Sequence, residues 1–459
     1  MYKINFQKPI HIHFIGIGGI SMSGLAEILL KEGFTVSGSD TKESALTKHL
    51  MEKGAHIIYG QKASNITDDI DCVVYTAAIS RDNAELIEAV AHKIPMLTRA
   101  ELLGQLMKNY ETPIAVSGTH GKTTTTSMIS HILLEGNLDP TISVGGILKA
   151  IGGNIRVGNS GTFITEACEY TNSFLHFFPK ISVILNIEED HLDFFKDLED
   201  IRHSFHQFAA LLPPEGTLVI NGDIKDHTEI YEGLSCHLIT YGSSASFDYS
   251  ATNICYDEKG CVSFDLLKHG ELIENIVLSV TGDHNVSNAL SAIAVAELLH
   301  IPMDTIKKGL FSFSGTDRRF EYKGMLNGIT IVDDYAHHPT EITATLKAAQ
   351  HYPHNSLWCV FQPHTYTRTK AFFHEFADAL SHADHLILAD IYAARETDTL
   401  GISSADLAKE VKKAGTDAHY FSSFKEIKAF LKAHCMPGDL LITMGAGDIV
   451  TVGEELLKE

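Results

Sequence analysis

An α/β fold in three domains is what this sequence predicts, and three observations carry the prediction. Two glycine-rich loops, GIGGISMSG at 16–24 and GTHGKTT at 118–124, each lie between an apolar run of strand length and a helical pattern. Strand-like and helix-like segments alternate again after residue 314. The 459 residues also exceed what a single hydrophobic core serves. The expected organisation is a Rossmann-like amino-terminal domain over 1–109, a central phosphate-loop domain with a mainly parallel sheet over 110–314, and a Rossmann-like carboxy-terminal α/β domain over 315–459.

Taken in order, Ile10–Gly19 is an apolar run closed by glycines, and Met22, Leu25, Ala26, Leu29 and Leu30 then recur at helical spacing. Further strands are expected at Phe34–Gly38, Cys72–Thr76 and Pro95–Thr98. A new unit begins after the boundary at Asn109–Pro113: the strand Ile114–Ser117, the second glycine loop, and a helix to about Glu135. Strands at Thr162–Thr165, Ile181–Asn186 and Leu218–Asn221 follow, then alternating segments between Tyr249 and Val280 and a helix over Asn285–Leu299. The polar stretch FSFSGTDRRFEY sets the second boundary near Ser314. Beyond it come a strand at Ile329–Asp333, a strand at Leu357–Gln362, a helix at Thr369–Leu380, and strands at His385–Ala389 and Leu440–Met444.

Composition narrows the function classes. A formal net charge of −22 argues against a nucleic-acid partner, because phosphate neutralisation needs clustered lysine and arginine. Neither a secretory leader pattern nor an apolar run of membrane-spanning length is present in the sequence, so a cytoplasmic protein without membrane insertion is expected. The seven cysteines are scattered singly, which fits reduced thiols, and the 26 histidines show no HExxH-type zinc spacing.

The strongest chemical signal is GTHGKTT. Between a buried strand and a helix N-terminus, the backbone N–H groups of Gly118, Thr119, His120, Gly121, Lys122, Thr123 and Thr124 face a phosphate. Lys122 adds positive charge and Thr123 is expected to offer its hydroxyl to magnesium, while Val116 departs from the first glycine of the strict phosphate-loop pattern. In the first loop, Gly16, Gly18 and Gly19 resemble a dinucleotide fingerprint with Ser21 in place of its third glycine, and Asp40 follows the second strand where an acid commonly meets a ribose hydroxyl. A nucleotide or nucleotide sugar is favoured there, with a nicotinamide cofactor as the competing reading. Glu166 in TEACEYTNSFL and His191 in NIEEDHLDFF lie at strand ends of the phosphate-loop domain, suited to hard cations that bridge phosphates and a carboxylate.

With GDHNVSNALSA, GTDRRFEY, VDDYAHHPTE and FQPHTYTRTK added in order, the set of motifs resembles the Mur ligase family and spans nearly the whole chain. GTHGKTT indicates the family at large; the GIGG loop, DDYAHHPTE and QPHTYTRTK point to its branch that adds the first amino acid. The resemblance implies ATP and Mg2+ as cofactors, UDP-N-acetylmuramate and L-alanine as substrates, and a monomer or homodimer. It also implies that Asn285 and Asn288 lie near adenine, that Arg319 and Asp334 contact ATP, and that His337, His364, Arg368 and Arg395 face the γ-phosphate and the amino acid. Lys122, Glu166, His191, His337 and Arg368 are then the candidate catalytic residues. Phe205 stands where relatives carry a carbamylated lysine, so no carbamate is expected, and Thr365 and Lys370 stand where arginine is common in the alanine-adding branch. A ligase for a preformed tripeptide and a nucleotide-responsive regulatory protein remain the alternatives.

Overall fold

The computed structural model describes residues 2–76, 78–394, 396–398 and 400–458. The chain packs as two compact units. The first comprises Met1–Glu188, Leu198–Tyr241 and Ser291–Gly309; the second comprises Glu189–Asp197, Gly242–Leu290 and Leu310–Glu459. Three mostly parallel α/β layers are distributed over them, the architecture that the alternating segments predict.

In the first unit, β1 (His11–Ile15), β2 (Thr35–Asp40), β3 (His56–Tyr59), β4 (Cys72–Tyr75) and β5 (Met96–Thr98) form a parallel sheet in the order β3-β2-β1-β4-β5. The chain winds outward from β1 in one direction and then from β4 in the other, so the loop after β1 opens at the switch point where ligands of such sheets bind. The second sheet of this unit is built from β6 (Thr112–Ser117), β7 (Thr141–Leu148), β8 (Gly153–Arg156), β9 (Thr162–Ala167), β10 (Ile181–Ile184), β11 (Thr217–Asn221) and β12 (His237–Gly242). Its order is β12-β11-β10-β6-β9-β7-β8, parallel except for β8 at the edge.

The two layers of the first unit meet through glycines. A Cβ on Gly24, in the helix Ile20–Lys31, would lie 2.0 Å from Ile155 Cδ1 on β8. One on Gly104, in the helix Arg99–Met107, would lie 1.9 Å from the His176 carbonyl oxygen. Lys31 Nζ donates to the carbonyls of Val157 (3.2 Å) and Gly158 (2.5 Å), and the rings of Phe6, Tyr110 and Phe163 run in sequence across the junction at 5.8 and 5.0 Å. Phe205, in the helix Leu198–Ala209, is fully buried and packs edge-on to Phe174, which stacks on Phe208 at 4.7 Å. Each such buried ring contributes about 1.5–3 kcal/mol, and the side chain at 205 is committed to this core.

The second unit holds an antiparallel meander, β13 (Tyr249–Tyr256), β14 (Cys261–Lys268) and β15 (Glu271–Thr281). Its main sheet uses β16 (Glu321–Leu326), β17 (Ile329–Asp334), β18 (Leu357–Phe361), β19 (His385–Leu388), β20 (Asp417–Tyr420) and β21 (Leu440–Met444), in the order β16-β17-β21-β18-β19-β20. β16 alone is antiparallel. The helix expected over Thr369–Leu380 is two helices, Tyr366–Ala371 and Phe373–Leu380, because Phe372 leaves helical geometry (φ −111°, ψ 32°) as its ring turns against the core. Among the described residues no helix is long and apolar enough to cross a membrane, and the seven cysteines are free.

Candidate active site

The phosphate loop emerges from β6, whose residues 113–117 are buried, as suits a strand covered on both faces in a parallel sheet. Gly118 (φ 150°) and Gly121 (φ 82°) turn the chain into the helix Lys122–Glu135, and a Cβ on Gly118 would lie 2.9 Å from Leu185 Cβ. Asn186 clamps the loop from beyond β10: its Oδ1 accepts from His120 N at 2.7 Å, its Nδ2 donates to His120 O at 3.1 Å, and its carbonyl accepts from Thr119 N at 3.2 Å. Thr119 Oγ1 accepts from Glu188 N at 2.9 Å, and His120 Nε2 lies 3.5 Å from Glu188 Oε2.

Lys122 curls back over this loop. Its Nζ donates to the carbonyls of Gly118 (2.5 Å) and Thr119 (3.0 Å) and pairs with Glu169 Oε2 at 3.0 Å. Burial alone would lower the ammonium pKa, but the Glu169 carboxylate drives it above the ordinary lysine value. Glu169 is 2% exposed. It is a functional candidate that the sequence does not mark out from Glu166, because Glu166 lies near the end of β9 and Glu169 just beyond it, and only the turn after Ala167 shows which one meets the lysine. Glu166 Oε1 accepts from Gly145 N at 2.6 Å. Thr123 and Thr124 open the helix. The Thr123 hydroxyl and the Glu166 carboxylate are oxygen donors of the kind a hard cation such as magnesium takes.

At the first glycine loop, Ser39 O accepts from Gly16 N (2.9 Å) and Ile17 N (3.0 Å), and Asp40 Oδ2 accepts from Gly18 N at 2.8 Å. The chain end of β2 therefore shapes the loop before any ligand arrives. Behind it, fully buried Glu85 accepts from Ser39 Oγ and Asn65 Nδ2, both at 2.5 Å, a supporting acid that no motif announces. Gly19 precedes the helix Ile20–Lys31, and Ser21 in its first turn accepts from Arg99 Nη1 at 3.1 Å.

A second group of candidates gathers in the second unit at the carboxyl ends of β17 and β18. Asp334, nearly buried, accepts from Ala336 N (2.7 Å) and Phe320 N (2.8 Å), and burial raises its pKa to about 6 against the pull of Arg319. Arg319 Nη1 lies 3.4 Å from Glu341 Oε1, and His337 Nδ1 lies 3.0 Å from Tyr335 O and 3.3 Å from Glu341 Oε2. Burial lowers the His337 pKa to about 4. The rings of His337 and His364 are 5.8 Å apart, and His364, also lowered by burial, sits 3.4 Å from Arg368 Nη1. Arg368 meets Asp190 through Nη2 at 2.9 Å and Nε at 3.3 Å, and holds that carboxyl well below the usual range against its burial. His191 follows Asp190 in left-handed geometry (φ 53°), its Nε2 3.8 Å from Asp190 Oδ2. Asn285 and Asn288 are buried and linked: Asn285 donates to Thr281 O at 2.7 Å and Asn288 to Asn285 Oδ1 at 3.0 Å. Arg395 lies outside the described residues.

Known proteins resemble the chain throughout. Residues 11–111 match the family profile described as Mur ligase family, catalytic domain; residues 116–296 match the Mur ligase middle domain; residues 318–447 match the Mur ligase, glutamate ligase domain. A UDP-N-acetylmuramate–L-alanine ligase of Agathobacter rectalis is 62% identical over 459 residues, covering 100% of both chains. Among solved structures, the UDP-N-acetylmuramate–alanine ligase of Thermotoga maritima superposes with a TM-score of 0.79 at 28% identity, covering 98% of each chain. A murein peptide ligase of Psychrobacter arcticus gives a TM-score of 0.68 at 25% identity, again over 98% of each chain. With three family profiles matching in succession and an end-to-end relative at this identity, the chain belongs to the Mur ligase family.

Proposed function

We propose that this chain is an ATP-dependent ligase that joins L-alanine to the lactyl carboxylate of UDP-N-acetylmuramate, a cytoplasmic step in making peptidoglycan precursors. The observation that carries the reading is the phosphate loop with Lys122 held over it, in a chain matched end to end by a ligase of that name. Domain limits of 1–109, 110–314 and 315–459 are part of the proposal, supported by the breaks between the three matched profiles.

Forming an amide from a carboxylate in water is uphill, so the carboxylate first acquires a leaving group. The lactyl carboxylate attacks the γ-phosphorus of ATP in line, giving an acyl phosphate and ADP. Lys122 and the loop N–H groups spread the charge that develops on the transferred phosphoryl oxygens. Thr123 and Glu166, with His191 as a further ligand, would hold a magnesium ion, which would supply Lewis-acid charge to the phosphates. The unprotonated amine of L-alanine then attacks the acyl carbon, and phosphate leaves from the tetrahedral oxyanion. Gly16, Gly18, Gly19, Ser21 and Asp40 hold the nucleotide sugar; Asn285 and Asn288 meet adenine; Arg319 and Asp334 meet ATP. His337, His364 and Arg368 face the amino acid and the γ-phosphate. Acyl phosphates hydrolyse, so water has to be kept from the acyl carbon until the amine arrives.

The test is coupled ADP release with UDP-N-acetylmuramate, omitting each component in turn. Release that requires both the nucleotide sugar and L-alanine supports the reading. Release with a preformed tripeptide and none with L-alanine transfers the chain to the activity for which the Psychrobacter arcticus relative is named.

A further inference from the structure

Among the described residues most arginines are paired with an acid. Arg156, Arg202, Arg318, Arg319 and Arg368 each meet a carboxylate, and Arg81 is exposed to solvent. Arg99 has neither arrangement. It is partly buried, and among the described residues its guanidinium makes one hydrogen bond, to the Ser21 hydroxyl at 3.1 Å, and no ion pair. With 58 acidic residues against 36 basic ones in the sequence, a partly buried cation left without an acid is a costly exception. Arginine does not relieve that cost by deprotonating, although burial lowers its pKa.

The position is fixed rather than accidental. Arg99 is the first residue of the helix Arg99–Met107, whose start is locked by a reciprocal cap: Thr98 Oγ1 accepts from Glu101 N at 3.2 Å and Glu101 Oε2 accepts from Thr98 N at 2.7 Å. The guanidinium touches Ser21, in the first turn after the GIGG loop. The thiol of Cys168, next to Glu169 in the chain, is near enough for both Arg99 and Lys122 to pull against the rise that burial gives its pKa. Four of its five N–H donors make no hydrogen bond to a described residue, and the fifth meets the first turn after the amino-terminal glycine loop.

We propose that Arg99 is a substrate-binding residue whose guanidinium supplies the counter-charge for an oxyanion of the nucleotide sugar, its diphosphate or its lactyl carboxylate. The assignment rests on the function proposed above, and it explains why the protein keeps an arginine there without an acid of its own: the ligand brings the acid. A planar, permanently charged fork matches either a carboxylate or a phosphate through two parallel bonds, which a lysine does not reproduce.

The experiment measures binding by calorimetry and ligand-free thermal unfolding of the full chain, wild type against Arg99→Met and Arg99→Lys. Three probes are used: UDP-N-acetylmuramate, UDP-N-acetylglucosamine, which has the diphosphate without the lactyl acid, and a non-hydrolysable ATP analogue. Arg99→Met is expected to weaken UDP-N-acetylmuramate by about 10- to 100-fold, leave the ATP analogue unchanged, and unfold at the same or a higher temperature without ligand. Arg99→Lys should recover part of the loss. An equal loss with UDP-N-acetylglucosamine assigns the diphosphate; a loss confined to UDP-N-acetylmuramate assigns the carboxylate. Unchanged binding of UDP-N-acetylmuramate overturns the role of Arg99, and so does a lowered unfolding temperature with equal losses for all three probes. Failure of the wild-type chain to bind UDP-N-acetylmuramate at all overturns the functional reading itself.

Discussion

Replacing Lys122 tests the phosphate loop, and the surroundings of its side chain dictate how the replacement has to be made. The ammonium is the counter-ion of Glu169, 3.0 Å away and 2% exposed, as well as the donor to two loop carbonyls. Lys122→Ala therefore strands a buried carboxylate, which costs about 3–5 kcal/mol, a large share of the roughly 5–15 kcal/mol by which domains are stable. Loss of activity in that variant would mix lost chemistry with lost fold. Lys122→Met combined with Glu169→Gln removes both charges, and most of the stability should return. Thermal and urea unfolding followed by circular dichroism on the two single variants and the double variant yield the coupling, expected at about 2 kcal/mol or more for an ion pair this buried. All three should lack ADP release with UDP-N-acetylmuramate and L-alanine. Single-variant losses that simply add in the double variant, or singles as stable as the wild type, would refute the claim that the loop and Glu169 form one electrostatic unit.

Other consequences are open to equally direct measurement. Gly104→Ala improves helix propensity by about 1 kcal/mol, yet its methyl would collide with the His176 carbonyl; a net loss of about 2 kcal/mol or more in unfolding free energy is expected, and a stabilised variant would show that the junction gives way freely. Glu85→Ala removes the acceptor for Ser39 Oγ and Asn65 Nδ2. Calorimetry should then show weaker nucleotide-sugar binding with ATP-analogue binding intact, because Ser39 O is what holds the Gly16 and Ile17 amides; equal weakening of both ligands counts against this chain of contacts. His337, with a folded pKa of about 4 against an ordinary value of 6.5, contributes stability that is present above pH 6.5 and lost as pH falls through about 4. The contribution is about 3 kcal/mol. Melting curves of His337→Gln should fall less steeply over that window than the wild type, and parallel curves would remove the assignment.

Much of the fold could be read from the residues, and the reasons are specific. The strands at the sheet centres, such as TPIAVS before the phosphate loop, are buried on both faces and so appear as unbroken apolar runs ended by glycine. The hairpin of β7 and β8 leaves no periodic mark in the sequence because TISVGGIL and GNIR are glycine-dense, partly exposed and irregular in register, with neither helical nor alternating periodicity. The break at Phe372 was hidden as well, since apolar residues flank it at helical spacing and only the packing of its ring against the carboxy-terminal core turns the backbone aside. The candidate site divides in the same way. Lys122, Thr123, Asp40 and the glycines announce themselves by spacing. Glu169, Asn186, Glu85 and Arg99 act through positions that only the folded chain brings together, and a lone acid or arginine in sequence carries no mark of being buried.

The pair formed by Arg368 and Asp190 has a bearing on which molecules the second unit would accept. A guanidinium already neutralised by a neighbour offers little to an uncharged visitor, since contact with one would mean giving up a good partner for a poor one. Only a newcomer bearing its own negative group can take over one arm of the fork and be compensated for the exchange. If Arg368 receives the amino acid, alanine with a free carboxylate should be admitted, whereas alaninamide, equal in size and in amine chemistry, should be turned away at the threshold.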